Sequence, residues 1–443
     1  MRILAIETSC DETAIAIAEF SNGRGLTPIK QPSRIRADTN LRKSALSSAK
    51  IRVLANLISS QVKIHQKFGG VVPNLAKREH QKNLVPLLLK ALKEGKLHKL
   101  KSNPSTGSGI IIPRAKSRGN LNLILEREPE LLFRFKKHIA PLPAPKIDAI
   151  AVTHGPGLAP ALWVGVNFAR ALSALWNVPL LPTDHMAGHL YSALIPKSLP
   201  PKTYPLKPIK FPALALLVSG GHTELVLMRG HGKFKIIGET RDDAAGEAFD
   251  KVARLLGLPY PGGPEIARIA RGIKDSSSTS SGNISRAESR EYKNYKVILP
   301  RPMLHSHDYD FSFSGLKTAV LYMLREMKPA DIRRLRPAIA KEFQDAVVDV
   351  LVKKTVRAVK EYKAKTVLLG GGVAANHLLQ QKLREALRKE VHNSYFLIPN
   401  SSLTGDNALM IALAAYFTGN PPAGGKPWKK LEAHPNLTIN SRR

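Results

Sequence analysis

The pattern of hydrophobic and polar residues predicts two copies of one strand–turn–strand unit. The first copy has an apolar run over 2–6, a polar turn, and a strand of alternating character over 13–19. The second copy has an apolar run over 214–218, the turn Ser219-Gly220-Gly221-His222, and a second strand over 223–228. Helical and strand segments alternate after each copy, so the chain is predicted to be an α/β protein with an internal duplication.

Further elements follow from short apolar runs, which predict strands, and from apolar residues at helical spacing, which predict helices. The predicted strands are 147–153, 178–182 and 366–369, and the predicted helices are 164–176, 337–361, 376–390 and 406–417. Pro337 suits the first position of its helix, where a missing N–H costs nothing.

The elements divide into two predicted subdomains, 1–182 and 183–420, followed by a basic tail over 421–443. Two polar stretches are predicted to be insertions without regular structure. The first, 95–145, is rich in Lys and Arg, and the second, 275–290, contains a serine-rich tract. The basic insertion is either inert surface or an additional contact with RNA.

The charge of the chain narrows the class of partner. It has 68 Lys and Arg against 34 Asp and Glu, a formal net charge of +34. Such an excess favours a polyanion, because each phosphate that a protein neutralises releases condensed counterions. A nucleic acid is therefore the expected partner, although basic insertions that are merely solvated would produce the same excess of Lys and Arg.

The chain shows no pattern of a secreted or membrane protein. Glu7 and Asp11 interrupt the first apolar run, so it does not read as a signal peptide. No apolar run approaches the roughly 18 residues that a membrane span needs. Cys10 is the single cysteine, which suits a reducing compartment. A cytoplasmic protein without a membrane segment is expected.

A candidate metal site lies in His185-Met186-Ala187-Gly188-His189. Histidines at i and i+4 of a helix share one face, which suits two ligands of one ion, although packing histidines have the same spacing. A zincin-type metalloprotease needs Glu directly after the first histidine, and Met186 stands there. Asp406 is the candidate third ligand, but an acid before an apolar helix is more often an N-cap.

Three glycine-containing turns are candidates for a nucleotide site. They are Ser219–Thr223, 261–264 and 370–373. Glycine lets backbone N–H groups approach a phosphate closely, and the turn at 370–373 precedes a predicted helix N-terminus. None matches the P-loop or the dinucleotide fingerprint. A nucleotide of another binding class is therefore favoured.

Three acidic residues are further candidates. Asp11, on the first turn, is either a general base or cation-positioning carboxylate, or a turn-forming residue. Glu247 and Asp250 lie three apart near the start of a predicted helix. One of them is a candidate to bind ribose hydroxyls, while the acids of this run also compensate a helix dipole.

Together these stretches resemble the tRNA adenosine threonylcarbamoyltransferases, once described as O-sialoglycoprotein endopeptidases, and most closely the bacterial branch. The matching stretches occur in the order of the family over nearly the whole chain outside the two insertions. They are 6–13, 69–73, 154–158, 185–189, 217–223, 242–251, 261–264, 311–318, 370–376 and 406–407.

The resemblance implies the duplicated fold of actin, hexokinase and the heat-shock chaperone ATPases, with a nucleotide and metal cleft between its subdomains. It implies one divalent metal ion, iron or zinc, bound by His185, His189 and Asp406. It also implies that Asp11 is needed for transfer. The residues implied to bind substrate are Leu217, Val218, Ser219, Gly220, Gly221, Asp250, Gly263 and Asn376.

The implied reaction takes threonylcarbamoyl-adenylate and passes its threonylcarbamoyl group to the exocyclic amine of adenosine 37. The acceptor tRNAs read codons that begin with A, and AMP is released. The anticodon arm of tRNA is thus the implied polyanion. The bacterial family also implies a partner subunit of related fold and a small ATPase.

Four positions depart from the family pattern. The family usually has Glu where this chain has Ala187 and Asn74, and it often has Thr at Gly405 and Gly at Pro160. None of these is an implied metal ligand. The two missing carboxylates instead concern partner contacts or the surroundings of the metal.

Three other functions are alternatives to the transferase. A metalloprotease is disfavoured by Met186 and has no use for the glycine turns. A sugar kinase or ATPase of the same fold leaves the paired histidines unexplained. A catalytically silent binding subunit is disfavoured because Asp11 and all three implied ligands are present.

Overall fold

The computed structural model describes residues 1–21, 49–97, 115–195, 203–272, 297–419 and 429–439. The strands are β1 (Arg2–Glu7), β2 (Glu12–Ser21), β3 (Lys50–Ser60), β4 (Ala149–Gly155), β5 (Leu180–Asp184), β6 (Thr203–Pro205), β7 (Ala213–Val218), β8 (Thr223–Gly230), β9 (Lys233–Glu239), β10 (Thr366–Gly370) and β11 (Tyr395–Leu397). The helices are α1 (Val62–His65), α2 (Pro73–Glu94), α3 (Ala115–Ile124), α4 (Pro129–His138), α5 (Ala159–Trp176), α6 (His185–Ser192), α7 (Ala245–Leu255), α8 (Gly262–Ala270), α9 (Ser314–Glu326), α10 (Pro329–Glu361), α11 (His377–Glu390) and α12 (Ala408–Thr418).

Contacts within the chain divide it into two units. The first contains Met1–Lys63, Val71–Ile209 and Pro399–Arg443, and the second contains Ile64–Gly70 and Lys210–Ile398. Among the described helices, none is long and apolar enough to cross a membrane.

This division differs from the predicted boundary after 182. β5 runs directly into α6, and α12 packs against α6, β1 and β2. Phe20 of β2 stacks on Tyr416 of α12 with ring centroids 4.4 Å apart. The closing helix is therefore part of the first unit, because its apolar side chains are buried against the first sheet.

The two sheets share one strand order. In the first unit the order is β5-β4-β1-β2-β3-β6, and in the second it is β11-β10-β7-β8-β9. In both, an antiparallel hairpin forms the centre, β1–β2 in the first sheet and β7–β8 in the second. Two strands lie parallel to the first strand of each hairpin, β4 and β5 in the first sheet and β10 and β11 in the second. The predicted α/β class and the internal duplication are confirmed, and the fold is the duplicated one that the resemblance implies.

Each unit has its own hydrophobic core. β1, β7 and β10 are almost entirely buried, as expected for central strands covered on both faces. The helix α10 supplies much of the second core, and it begins at Pro329 instead of Pro337. Pro329 takes the first helical position, so Pro337 lies inside the helix. Pro160 lies in the first turn of α5, where proline is tolerated.

The basic insertion predicted over 95–145 contains regular structure, and the prediction of an irregular segment was wrong for 115–138. α3 and α4 lie there, and Leu121, Leu125, Leu131 and Phe135 are buried in the first core. Each helix spans ten residues, which is too short for the helical spacing of apolar positions to repeat clearly. Residues 98–114 and the predicted insertion 275–290 lie outside the described residues.

Part of the predicted C-terminal tail is packed in the first unit. The backbone N–H of His434 donates to the carbonyl of His154 at 2.6 Å, and the N–H of Gly157 donates to that of Pro435 at 3.1 Å. Described residues of the tail thus bond to the end of β4 and to the loop that follows it. The predicted tail residues 421–428 and 440–443 lie outside the described part of the chain.

Candidate metal centre and glycine turns

The two histidines are positioned by the junction of β5 and α6. Asp184 ends the strand and caps the helix, because its Oδ1 accepts the N–H of Ala187 at 2.9 Å. His185 is therefore the first residue of α6, and His189 lies one turn later on the same face. Their ring centroids are 4.6 Å apart, and both side chains are buried.

Asp406 lies just before α12 and completes a group of three candidate ligands. Its Oδ1 is 3.2 Å from Nε2 of His189 and 3.5 Å from Nε2 of His185. One ligand atom from each of the three residues lies within 4.8 Å of the other two. Two imidazole nitrogens and a carboxylate oxygen are a donor set used by catalytic zinc and by non-haem iron.

Gly188 allows the two helices to come together. A Cβ at this position would lie 3.0 Å from Cδ1 of Ile411 and 3.0 Å from Cγ of Met410, both on α12. A larger residue would therefore press on these two side chains, which would have to shift to admit it. The glycine of the His-x-x-x-His stretch thus serves helix packing.

The polar atoms of the group fit a bound cation. Nε2 of His189 is buried and makes no hydrogen bond to the described residues, although Asp406 is close. Burial lowers the pKa of His185, but the carboxylates of Asp406 and Glu7 outweigh it and raise that pKa to about 9. The group therefore favours a positive charge at its centre, and a metal ion would replace the proton.

Further carboxyl groups lie close to these ligands. Burial raises the pKa of Glu12 to about 10, and repulsion from Asp406 and Asp11 adds to the effect. Asp11 is itself buried, and its Oδ2 has no hydrogen-bond partner among the described residues. A cation at the three ligands would relieve this repulsion.

Glu7 was not singled out as a functional residue from the sequence. It ends β1, is fully buried (0% exposed), and its Oε2 lies 3.3 Å from Nδ1 of His185. Acidic residues are rarely buried without a polar partner. An acid at the end of a fully apolar strand was the signal that could have identified it.

The second unit holds the glycine turns. After β7, the N–H of Ser219 donates to the carbonyl of His222 at 2.8 Å, and the N–H of His222 donates to Oγ of Ser219 at 3.1 Å. Gly220 and Gly221 are exposed at the tip, where an added Cβ would meet no described atom within 4 Å. The tip therefore has room for a ligand beside its backbone.

Two further glycines bring neighbouring elements against this turn. Gly371, with φ of +88°, lies so close to Val218 that a Cβ would overlap the Val218 carbonyl oxygen. A Cβ on Gly246 would lie 2.5 Å from the carbonyl oxygen of Ser219. The turns after β7 and β10 and the start of α7 thus meet at one edge of the second sheet.

Leu217 and Val218 are placed at this edge by β7, but their side chains are fully buried. Any contact they make with a ligand would come from the backbone. Leu217 pairs with Gly370 in β10, so the ends of the two parallel strands are in register.

The remaining three residues implied to bind substrate have contacts within the second unit; they are Asp250, Gly263 and Asn376. Oδ1 of Asp250 accepts the N–H of Gly262 at 2.7 Å, which holds the start of α8. A Cβ on Gly263 would approach only to 3.9 Å of Phe249, so space remains there. Oδ1 of Asn376 accepts the N–H of Leu379 and caps α11. Both polar side chains are thus held in place by their own unit.

Two acids near the start of α7 have other partners. Asp242, which precedes α7, accepts the N–H groups of Phe313 and Ser314 at the start of α9. Glu247 forms an ion pair with Lys251 at 2.9 Å on the surface of α7. Neither contact indicates ribose binding.

Comparison with known proteins decides the family. The profile of the family described as tRNA N6-adenosine threonylcarbamoyltransferase (TsaD) matches residues 52–101 and 137–413. The enzyme of that name from Geobacillus kaustophilus is 39% identical over 438 residues, which cover 99% of this chain and 96% of that protein. This chain belongs to the TsaD family. The Bacillus subtilis member is 38% identical over 447 residues, covering 99% of this chain and 98% of that one.

The TsaD profile spans every candidate residue except Asp11, which lies in the part that aligns with the full-length relatives. The unmatched stretch 102–136 falls within the predicted basic insertion. Among solved structures, HypF of T. kodakarensis covers 65% of this chain and 43% of that chain at 14% identity with a TM-score of 0.41.

Proposed function

We propose that this protein transfers a threonylcarbamoyl group from threonylcarbamoyl-AMP to the exocyclic amine of adenosine 37 in tRNAs that read codons beginning with A. The observation that carries the proposal is the alignment with TsaD enzymes at 38–39% identity over 99% of the chain. The amine nitrogen forms a bond to the carbamoyl carbon, the bond from that carbon to the phosphate oxygen breaks, and AMP leaves. Because the chain belongs to the TsaD family, the alternative function of a metalloprotease is not favoured.

The metal in this proposal is a divalent ion, Fe²⁺ or Zn²⁺, with His185, His189 and Asp406 as ligands. The buried donor set and the raised pKa of His185 support a cation at this position. A bound ion would supply Lewis acidity that polarises an oxygen near the reacting carbon.

Asp11 is the proposed acceptor of the proton that the attacking amine loses. Its carboxylate is buried, and one oxygen has no hydrogen-bond partner among the described residues, so that oxygen keeps its capacity to accept a proton. Cys10 and Glu12, beside it in the chain, have pKa values raised mainly by burial, and they would remain protonated at neutral pH.

The glycine turns of the second unit are the proposed site of the adenylate. Backbone N–H groups at Gly220 and Gly221 suit a phosphate, because an added Cβ at either position would meet no described atom within 4 Å. Ser219, whose own N–H donates to the carbonyl of His222, would hold this turn beside the ligand. Leu217 and Val218 would contribute backbone atoms, and Asp250, Gly263 and Asn376 would line the same site. The side chains of Asp250 and Asn376 accept hydrogen bonds from backbone N–H groups of α8 and α11, so they would be held in place before a ligand binds.

The excess of positive charge suits the anticodon arm of tRNA as the second substrate. The target adenosine must leave its stack before its amine can be reached. We further propose a partner subunit of related fold, a small ATPase and a cytoplasmic location, as the bacterial family suggests.

The test is to incubate the protein with threonylcarbamoyl-AMP and unmodified tRNA, with and without the partner proteins, and to analyse the nucleosides by mass spectrometry. Threonylcarbamoyladenosine is expected with the wild type and not with Asp11→Asn. A tRNA with guanosine at position 37 is the matched substrate control. Absence of product even with the partner proteins would refute the transferase.

A further inference from the structure

The two ring nitrogens of His185 face different surroundings. Nε2 lies on the side of Asp406, at 3.5 Å from its Oδ1. Nδ1 lies on the opposite side, 3.3 Å from Oε2 of Glu7 and 3.2 Å from Oγ of Ser9. A neutral imidazole that binds a metal through Nε2 must carry its hydrogen on Nδ1. The group that accepts this hydrogen therefore determines whether Nε2 is available.

The carboxylate of Glu7 is fixed in its orientation. Oε1 accepts the backbone N–H of Ser9 at 2.5 Å, and Oε2 accepts the hydroxyl hydrogen of Thr153 on β4. The side chain has no exposed surface, so water does not compete for it. A buried acceptor in a rigid network is well suited to hold an imidazole in one tautomer and one ring orientation.

We propose that Glu7 is a positioning residue of the metal centre: its buried carboxylate accepts the Nδ1 hydrogen of His185 and so leaves the Nε2 lone pair for the ion. The inference rests on the proposed metal centre. His189 has no such support, because its Nδ1 makes no hydrogen bond to the described residues. The positioning therefore acts on one of the two histidines.

The substitution Glu7→Gln is expected to move the ring hydrogen of His185 from Nδ1 to Nε2 without changing the size of the side chain at position 7. The N–H of Ser9 can only donate, so the amide oxygen must occupy the position of Oε1. The amide NH₂ then occupies the position of Oε2 and points a hydrogen at Nδ1 of His185. Nδ1 must accept it, the ring hydrogen moves to Nε2, and that nitrogen no longer binds a metal.

Two control variants separate this role from general effects of mutation. Glu128 is also buried in the first unit, and its Oε2 accepts a hydrogen bond from Nδ2 of Asn167 at 3.2 Å, so Glu128→Gln makes the same chemical change away from the histidines. Ser9→Ala removes the hydroxyl that competes with Glu7 for Nδ1 and leaves the carboxylate in place.

The experiment is a titration of each full-length variant with Zn²⁺ and with Co²⁺ against a competing chelator, with circular dichroism to verify folding. Glu7→Gln is expected to bind the metal roughly 10–100-fold more weakly than the wild type. Glu128→Gln and Ser9→Ala are expected to stay within a few fold of it.

The outcomes are distinguishable. If the wild type binds neither metal, the proposed centre fails. If the wild type binds and Glu7→Gln binds equally well, the centre stands and the role of Glu7 is refuted. An equal loss in Ser9→Ala would assign the role to the hydroxyl and overturn the proposal. Should Glu7→Gln not fold, the long-range ¹⁵N–¹H spectrum of the Zn²⁺-loaded wild type decides: a His185 hydrogen on Nδ1 is expected, and one on Nε2 contradicts it.

Discussion

Asn407, and not its neighbour Asp406, caps helix α12. Oδ1 of Asn407 accepts the N–H of Met410 at 3.0 Å, and its Nδ2 donates to the carbonyl of Gly405 at 2.9 Å. The carboxylate of Asp406 is directed instead at His185 and His189. The two adjacent residues thus have separate tasks, one in helix stability and one at the candidate metal centre.

This separation predicts opposite effects of two neighbouring substitutions. Asn407→Ala should lower the free energy of unfolding by about 1–2 kcal/mol, because a cap and a buried amide bond are lost. Asp406→Asn should leave the metal-free stability nearly unchanged but abolish metal binding. Urea unfolding and metal analysis check both, and a destabilised Asp406→Asn that still binds metal would reverse the assignment.

The close approach of Gly371 to Val218 predicts a sharp difference between adjacent glycines. Gly371→Ala should cost about 3 kcal/mol, because its φ of +88° disfavours a side chain and the Cβ would overlap a carbonyl oxygen. Gly372→Ala is the matched control, since its Cβ would meet no described atom within 4 Å. Thermal or urea unfolding measures both, and equal stability of the two variants would contradict the contact.

His231 predicts a loss of stability in mild acid. Burial lowers its pKa to about 4, against about 6.5 for an exposed histidine. The unfolded chain therefore binds a proton that the folded chain does not between these values, and stability falls as the pH is lowered from 6.5 to 4. The loss from this group is at most about 3 kcal/mol.

The measurement for His231 is urea unfolding at several pH values for the wild type and for His231→Phe, which keeps a ring against Phe211. The difference in unfolding free energy between the two proteins should change by up to about 3 kcal/mol between pH 7 and pH 4. If this difference does not change with pH, the pKa of His231 is the same in the folded and the unfolded chain, and the prediction is wrong.

The role of the basic insertion needs a gentler test than deletion of 95–145, because Leu131 and Phe135 belong to the first core. Lys136 and Lys137 are exposed on α4 and are suitable for charge reversal. If this helix contacts tRNA, Lys136→Glu with Lys137→Glu should weaken binding and lower the salt slope by about 1–2.

The matched control for these two lysines is Arg388→Glu with Lys389→Glu, an equal change of charge at exposed positions of α11. Filter binding of tRNA over a range of salt concentrations compares the three proteins. Equal losses in both double variants would indicate a general effect of net charge, and unchanged binding in the Lys136/Lys137 variant would leave the insertion without a role in binding.

Local patterns predicted the fold well. The two hairpins were found because turn residues separate short strands within a few positions, and the buried runs of β1, β7 and β10 are continuous. The short helices α3 and α4 escaped prediction, since each spans ten residues and repeats the helical spacing of apolar positions over too few turns to be distinguished. The start of α10 was misplaced because Pro329 and Pro337 both suit a first helical turn.

The candidate site depends on contacts that no local pattern contains. Asp406 reaches His185 only because α12 folds back onto α6, so the sequence by itself favoured a helix cap for this acid. The resemblance to a family favoured the ligand role that the sequence had left as the second alternative for Asp406. The pairing of Glu7 with His185 likewise joins β1 to α6, and only the folded chain brings them together.

The shared strand order of the two sheets places two chemically different loops at the same point of one repeated topology. The turn after β1 and the turn after β7 occupy that point. The first turn has Ser9 and Asp11 and is followed by Glu12, and the second has Ser219, Gly220 and Gly221. One position of the topology therefore presents acidic side chains in the first unit and bare glycine backbone in the second, which are opposite electrostatic environments on one scaffold.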